Sequence, residues 1–240
     1  MDRFFIDPAA ITGDTANITG EDVAHITRVL RLQKGDVINL CDGHALEYIA
    51  RIQGVGKQAV QVDLLEQYAC TTEPAHHITL YQALPKTGKM EVIVQKCVEL
   101  GVFAIVPVTT ERCVVKPDGA FEKRQIRYRR VAYEAAKQSR RGIVPQVMPL
   151  AVLDGCDLSV HELILFAYEE ERQVSLKQAL RGTQARDIAL IVGPEGGFSQ
   201  SEAERIIARG AKAVSLGSRI LRTETAGMSM LAMVLYELEG

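Results

Sequence analysis

Ile188 to Glu239 reads IALIVGPEGGFSQSEAERIIARGAKAVSLGSRILRTETAGMSMLAMVLYELE, and its punctuation is strand, loop, helix, then the same again. Two apolar runs, Ile188–Val192 and Ala213–Leu216, each break into a glycine-containing loop, Gly193-Pro194-Glu195-Gly196-Gly197 and Gly217-Ser218-Arg219. A helical pattern follows each loop. Ser199 and Glu202 have capping-box spacing at the start of the first helix. The second loop runs through Arg222-Thr223-Glu224-Thr225 into a helix with apolar positions Met228, Leu231, Leu235 and Leu238. Glycine where a strand ends lets backbone approach a ligand closely, and ligands of open α/β sheets bind at such carboxyl ends. The plainer alternative is a pair of ordinary turns.

At 240 residues, of which 47% are hydrophobic, the chain can bury one large core or two modest ones. No apolar run approaches a membrane span and the acidic start MDRFFIDPAA does not resemble a signal peptide, so a cytoplasmic location without membrane attachment is expected. Five widely spaced cysteines with no CxxC pair indicate neither a disulfide framework nor a zinc site. His76 and His77 are adjacent and lack companions at ligand spacing, so no metal is expected. The formal net charge of −2 conceals an uneven distribution. Residues 1–74 hold 6 basic and 11 acidic side chains, 75–150 hold 13 and 6, and 151–240 hold 9 and 13. The stretch Lys123 to Arg141 carries eight basic residues against the single acid Glu134, the footprint expected for a polyanion unless the helix is simply solvated.

Residues 1–72 read as a small β-rich domain, with runs Val37–Leu40, Leu46–Ile52 and Ala59–Leu65 separated by Gly and Asp turns and one helix near Glu21–Val29. Thr71-Thr72-Glu73-Pro74 is the expected boundary. From Ile78 the rhythm is βα: strand Ile78–Leu84, helix Lys89–Leu100 closed by Gly101, strand Phe103–Val108, helix Phe121–Gln138, and strands Gln146–Pro149 and Leu163–Tyr168. That spells an α/β domain, 73–240, with a mainly parallel sheet and helices on both faces. Lys86-Thr87-Gly88-Lys89 lacks the Walker spacing, which discounts an NTPase.

GPEGGFS followed by LGSRILRTETA resembles the paired signature of the SPOUT class of RNA methyltransferases. The likeness extends over K-x-x-KM-x-x-x-x-QK-x-x-ELGV from Lys86, over Glu111-Arg112-Cys113, and over Gln138-Ser139 with Arg141, where Lys137 replaces a usual glutamate. His25-x-x-Arg28-Val29-Leu30-Arg31 with Gly35-Asp36 resembles the PUA-like domain that accompanies this class. The resemblance implies a C-terminal trefoil knot preceded by a small PUA-like β-barrel, S-adenosylmethionine as cofactor, a homodimer, and methylation of a uridine N3 in 16S ribosomal RNA of the small ribosomal subunit. The cofactor residues so implied are Leu165, Phe166, Ala167, Gly193, Pro194, Glu195, Gly196, Leu216, Gly217, Ile220, Leu221, Arg222 and Thr223, with core packing the alternative for Phe166 and Ile220. RNA contacts are expected from Arg3, Arg28, Arg31, Lys86, Lys89, Arg112, Arg140 and Arg141.

If uridine N3 is the acceptor, its imide proton must leave and negative charge spreads onto the flanking carbonyls. The always-charged, planar guanidinium of Arg222 suits that charge, while Glu195 or Glu224 takes the proton or orients Arg222. Two rival functions remain open to the sequence: an RNA-binding ribosome-assembly factor without catalysis, and a SPOUT enzyme acting at another RNA position or a ribose hydroxyl.

Overall fold

The computed structural model describes residues 1–86, 88–115, 119 and 121–240. Thr87, within the stretch Lys86–Lys89, lies outside them. The chain forms two compact units, Met1–Glu73 with Ala136–Val144, and Pro74–Ala135 with Pro145–Gly240.

The first unit contains β1 (Arg3–Phe5), β2 (Ile11–Thr12), β3 (Thr15–Thr19), α1 (Glu21–Ala24), β4 (Val37–Cys41), β5 (Leu46–Val55) and β6 (Ala59–Ala69). Its sheet runs β1-β4-β5-β6-β3-β2, antiparallel except for β1 on β4. Among the described residues β1 and β2 are not paired, so the expected barrel has two free edges. Alternate residues of the strands nonetheless converge on one core, in which Phe4, Ile26, Ile38, Leu40 and Ile52 are fully enclosed. Each such side chain contributes roughly 1.5–3 kcal/mol. The Asp42 carboxylate tightens the β4–β5 turn by accepting from the N–H groups of His44 at 2.7 Å and Leu46 at 3.0 Å. Beyond α1 the helix changes pitch: His25–Val29 is π-helical, and Arg31 has a positive φ of 55°. Arg28, Val29 and Arg31 are exposed as a result.

Two expectations for this unit are corrected. Arg141, read as a phosphate contact, is 3% exposed, and its guanidinium grips Glu73 through Nη2 at 2.5 Å and Nε at 3.2 Å. Glu73 also accepts from the backbone of Gly142 at 2.6 Å and Ile143 at 3.2 Å, so the expected linker residue anchors the returning segment. A guanidinium desolvated and bidentate on a carboxylate is not available to RNA. Lys137, where the resemblance leads one to expect glutamate, pairs with Asp22 at 2.7 Å and lies over the Phe4 ring. Arg3 is likewise enclosed, 3.0 Å from Glu47 with both side chains 8% exposed, and is no surface cation. Arg140 alone of the neighbouring pair is exposed, at φ 58°.

The second unit comprises β7 (His77–Ala83), α2 (Lys89–Glu99), β8 (Ala104–Thr109), most of α3 (Phe121–Gln138), β9 (Gln146–Val147), β10 (Ala151–Val152), β11 (Leu163–Ala167), α4 (Leu176–Leu180), β12 (Asp187–Val192), α5 (Gln200–Ala208), β13 (Lys212–Val214) and α6 (Thr223–Glu239). Among the described residues the sheet has seven strands in the order β10-β8-β7-β12-β11-β13, with β9 also on β8, and every pairing is parallel. The central strands β11 and β12 are almost wholly apolar because both faces are covered. No helix of the described residues is long and apolar enough to cross a membrane.

Two local readings change here. Ser199 caps α5 by accepting from the Glu202 N–H at 3.1 Å, but Glu202 does not reciprocate. Its side chain is buried and accepts from the Glu111 N–H at 3.1 Å instead. The buried residues of α6 are Thr223, Ala226, Gly227, Met230, Leu231 and Val234, whereas Met228, Leu235 and Leu238 are only half-buried. A helix apolar on nearly every side does not reveal by periodicity which face turns inward.

Candidate active site

The strands β11, β12 and β13 lie side by side, so the segments leaving their carboxyl ends meet. They enclose a cavity of about 440 Å³. Its wall includes Ala167, Gly193, Pro194, Glu195, Gly196, Leu216, Gly217, Ile220, Leu221, Arg222 and Thr223, all anticipated from the sequence. Leu165 and Phe166 are not in the wall; both are 0% exposed. The Phe166 ring stacks on Tyr168 at 5.3 Å and meets Phe198 edge-on at 4.7 Å, so it supports the wall from inside the core. Tyr168, Glu169, Glu171 and Arg172 line the cavity and were missed, because a charged run after a strand reads as a solvated turn.

The two glycine loops require glycine for different reasons. At Gly193 an added Cβ would stand 2.6 Å from the Phe198 ring. At Gly217 the space is open, and the demand is conformational, φ being 117°. The loops are joined by Thr223, whose hydroxyl donates to the Gly193 carbonyl at 2.6 Å and accepts from Gln82 Nε2 at 2.9 Å. Thr223 and Gln82 are buried, at 5% and 0% exposure.

Arg222 is the exposed residue preceding the first turn of α6 and lies on the cavity wall. The Lys89 ammonium, which is not in the wall, is 3.0 Å from Glu195 Oε1 and 3.0 Å from Glu224 Oε2. Glu195 also accepts from the Lys86 backbone N–H at 3.1 Å. Partial burial pushes both carboxyls up, but hydrogen bonds from Lys89 and from backbone N–H groups outweigh it and hold each below the usual carboxylate range. The hydrogen bond to Glu195, and then the ion pair with Glu224, raise the lysine in turn. Lys89 is therefore engaged by two carboxylates rather than standing clear as an RNA contact. Arg112 is exposed and donates to the Gly196 carbonyl at 3.2 Å, and Lys86 is exposed. Among the described residues no group of three or more His, Cys, Asp or Glu side chains is arranged to hold a metal ion.

The two glycine loops thus leave β12 and β13, on either side of β11, and face one cavity, and the chain that carries them is of the RNA methyltransferase class. An RNA methyltransferase domain matches residues 71–235 and an RNA methyltransferase PUA domain matches residues 18–65. The chain belongs to the ribosomal RNA small subunit methyltransferase E family: it is 34% identical to the Bacillus subtilis member over 100% of this chain and 98% of that protein. The Neisseria gonorrhoeae member, solved bound to S-adenosylmethionine, is 31% identical with a TM-score of 0.85, covering 98% of this chain and 97% of its own. A putative methyltransferase of Legionella pneumophila, also solved with that cofactor, is 30% identical with a TM-score of 0.84, covering 98% and 96%.

Proposed function

We propose that the protein uses S-adenosylmethionine to methylate N3 of a uridine in 16S ribosomal RNA, acting in the cytoplasm on the small ribosomal subunit or its RNA. The observation that carries this reading is Arg222 on the wall of a cavity built from both glycine loops. The cavity volume of about 440 Å³ lies in the range of cofactor sites, and its lining fits an amphiphilic, charged ligand. Pro194, Leu216, Ile220 and Leu221 offer apolar contact, the backbone of Gly193–Gly196 and Gly217 offers donors and acceptors, and Glu169, Glu171 and Arg172 offer charge. When bound, the cofactor supplies a methyl group already activated by its sulfonium, so the protein's task is alignment and exclusion of water.

The chain's own residues then act on the uridine. A carbon–nitrogen bond forms as the carbon–sulfur bond breaks, the N3–H electron pair stays on the ring and its proton passes to solvent. Arg222 stabilises the charge that spreads onto the carbonyl oxygens. Glu195 and Glu224 are not the proton acceptors, because Lys89 occupies both.

The first unit is read as the RNA-binding domain, residues 1–72 with the returning segment, on the exposure of Arg28, Arg31 and Arg140. Lys86 and Arg112, exposed on the methyltransferase domain, 73–240, are read as further RNA contacts. Support for the trefoil knot comes from the Ser215–Ser175 bridge, which pairs the chain leaving β13 with the β11–β12 connection before α6 packs on α2, β7 and β12. The exposed Met233 and Tyr236 on α6 support a homodimer.

The test is incubation of the protein with S-adenosylmethionine and unmodified small subunits, followed by nucleoside digestion and mass spectrometry. N3-methyluridine is expected. A different methylated nucleoside overturns the target, and absence of S-adenosylmethionine binding in a calorimetric titration leaves a non-catalytic RNA-binding factor.

A further inference from the structure

Lys89 is the first residue of α2, and its ammonium touches carboxylates from two other segments, the first glycine loop and the first turn of α6. The three side chains are partly shielded and partly wet, with Lys89 27% exposed, Glu195 21% and Glu224 20%. Two carboxylates on one ammonium repel each other strongly without it. Glu224 also lies two residues from Arg222 on the start of the same helix, and the Arg222 charge acts on it. Unpaired, Glu224 has a guanidinium within its field to which it can bind bidentately. An arginine captured in that way is lost to the substrate.

We infer that Lys89 is a positioning residue of the methyl-transfer site: by holding Glu224 on its ammonium it keeps that carboxylate off Arg222, whose guanidinium is thereby left to the reacting base. This rests on the proposed role of Arg222 in stabilising the uridine charge. It also assigns the cluster a division of labour. The Lys86 N–H and Lys89 saturate Glu195, which fixes the glycine loop. Glu224 is the carboxylate that Lys89 restrains.

The experiment compares full-length wild type, Lys89→Met, Lys89→Arg and the double variant Lys89→Met with Glu224→Gln. Each is measured by single-turnover methylation at saturating RNA, by S-adenosylmethionine calorimetry and by RNA binding across salt concentrations. Loss of Lys89 is expected to slow single turnover about 100-fold, the usual scale for losing one preorganised charge-stabilising donor. Cofactor affinity should change little. Lys89→Arg retains a cation and should keep most of the rate. Removing the freed carboxylate as well should restore activity on the order of tenfold over Lys89→Met, a coupling that no merely structural role predicts. A carbon-13 NMR titration of Glu224 supplies a reading independent of turnover: its carboxyl should stay low in Lys89→Met, because the Arg222 guanidinium takes the place of the ammonium.

An unaltered rate at saturating RNA with a salt slope reduced by roughly 0.7–0.9 would make Lys89 a direct phosphate contact and overturn the inference. So would a double variant no faster than Lys89→Met, or a Glu224 carboxyl that rises when Lys89 is replaced. If wild type methylates a nucleoside other than N3 of uridine, the proposed function fails, yet the same rate comparison on that product still decides the role of Lys89.

Discussion

The Thr223 hydroxyl donates to the Gly193 carbonyl at 2.6 Å, and this bond ties the loop that follows β12 to the loop that precedes α6. Thr223→Val keeps the side-chain shape and removes both the donor and the acceptor used by Gln82. The fully buried Gln82 amide then loses a partner, at a cost of about 1–3 kcal/mol. A fall in denaturation midpoint together with weaker S-adenosylmethionine binding is the expected outcome, read by urea unfolding and calorimetry on one preparation.

Gly193→Ala and Gly217→Ala should separate the two demands made on the glycine loops. The first drives a methyl group against the Phe198 ring, 2.6 Å away, and should destabilise the unit whether or not cofactor is present. The second meets no atom within 4 Å but must hold φ at 117°, a strain of roughly 1–3 kcal/mol. Relaxation of that loop reshapes the cavity wall, so cofactor affinity should fall more than the melting temperature does.

Arg222→Lys should leave much of the cofactor affinity and lose about 10²–10³ in single-turnover rate, because lysine keeps the charge without the planar fork. A rate equal to wild type removes Arg222 from the chemistry.

Arg140 and Arg141 should behave as opposites. Arg141→Ala strands Glu73 in a largely enclosed site and should cost about 3–5 kcal/mol of stability. Arg140→Ala should leave the fold intact and reduce the logarithmic salt slope of RNA binding by roughly 0.7–0.9. Fluorescence anisotropy at several salt concentrations, beside a thermal melt, distinguishes them.

A buried acid gives the pH dependence. Burial pushes the Glu202 carboxyl up, only partly opposed by the Glu111 N–H, and Oε2 has no hydrogen-bond partner. A carboxyl raised in the folded state favours folding below its unfolded pKa and loses that contribution as pH climbs through the folded value. Glu202→Gln keeps an acceptor for Glu111 without the charge. It should therefore stabilise the protein at neutral pH by on the order of 1 kcal/mol, with the advantage vanishing in acid. Thermal melts from acid to neutral pH measure this.

The features legible in the sequence are those that short-range chemistry dictates. The apolar runs of β11 and β12, the Gly193–Gly197 loop and the span of α3 stem from local pattern, whereas most of the cavity wall follows from the family resemblance that the two glycine loops carry. Partners distant in the chain do not. Arg141 looks like any surface arginine until Glu73, 68 positions earlier, is seen to enclose it, and Lys89 until Glu195 arrives from 106 positions later. Leu165 and Phe166 belong to a strand covered on both faces, where hydrophobicity does not mark the residue at which core ends and cavity begins. From this strand only Ala167 reaches the site, together with Tyr168 and Glu169 just beyond its end.

The clasp of Glu73 on Arg141, Gly142 and Ile143 makes the first unit discontinuous in the chain, since Ala136–Val144 belongs to it. A polypeptide emerging from its amino end therefore exposes β1 through β6 long before the piece that completes them exists. In that interval the buried Arg3–Glu47 pair and the apolar core can form, but Glu73 waits with its carboxylate unclaimed. By the time residue 144 arrives, β7, α2 and β8 have already been made. Order of synthesis thus sets an order of maturation: the amino-terminal unit cannot close before residue 144 is made, a delay set by the length of chain inserted between its two halves, yet it closes ahead of the unit that ends at Gly240.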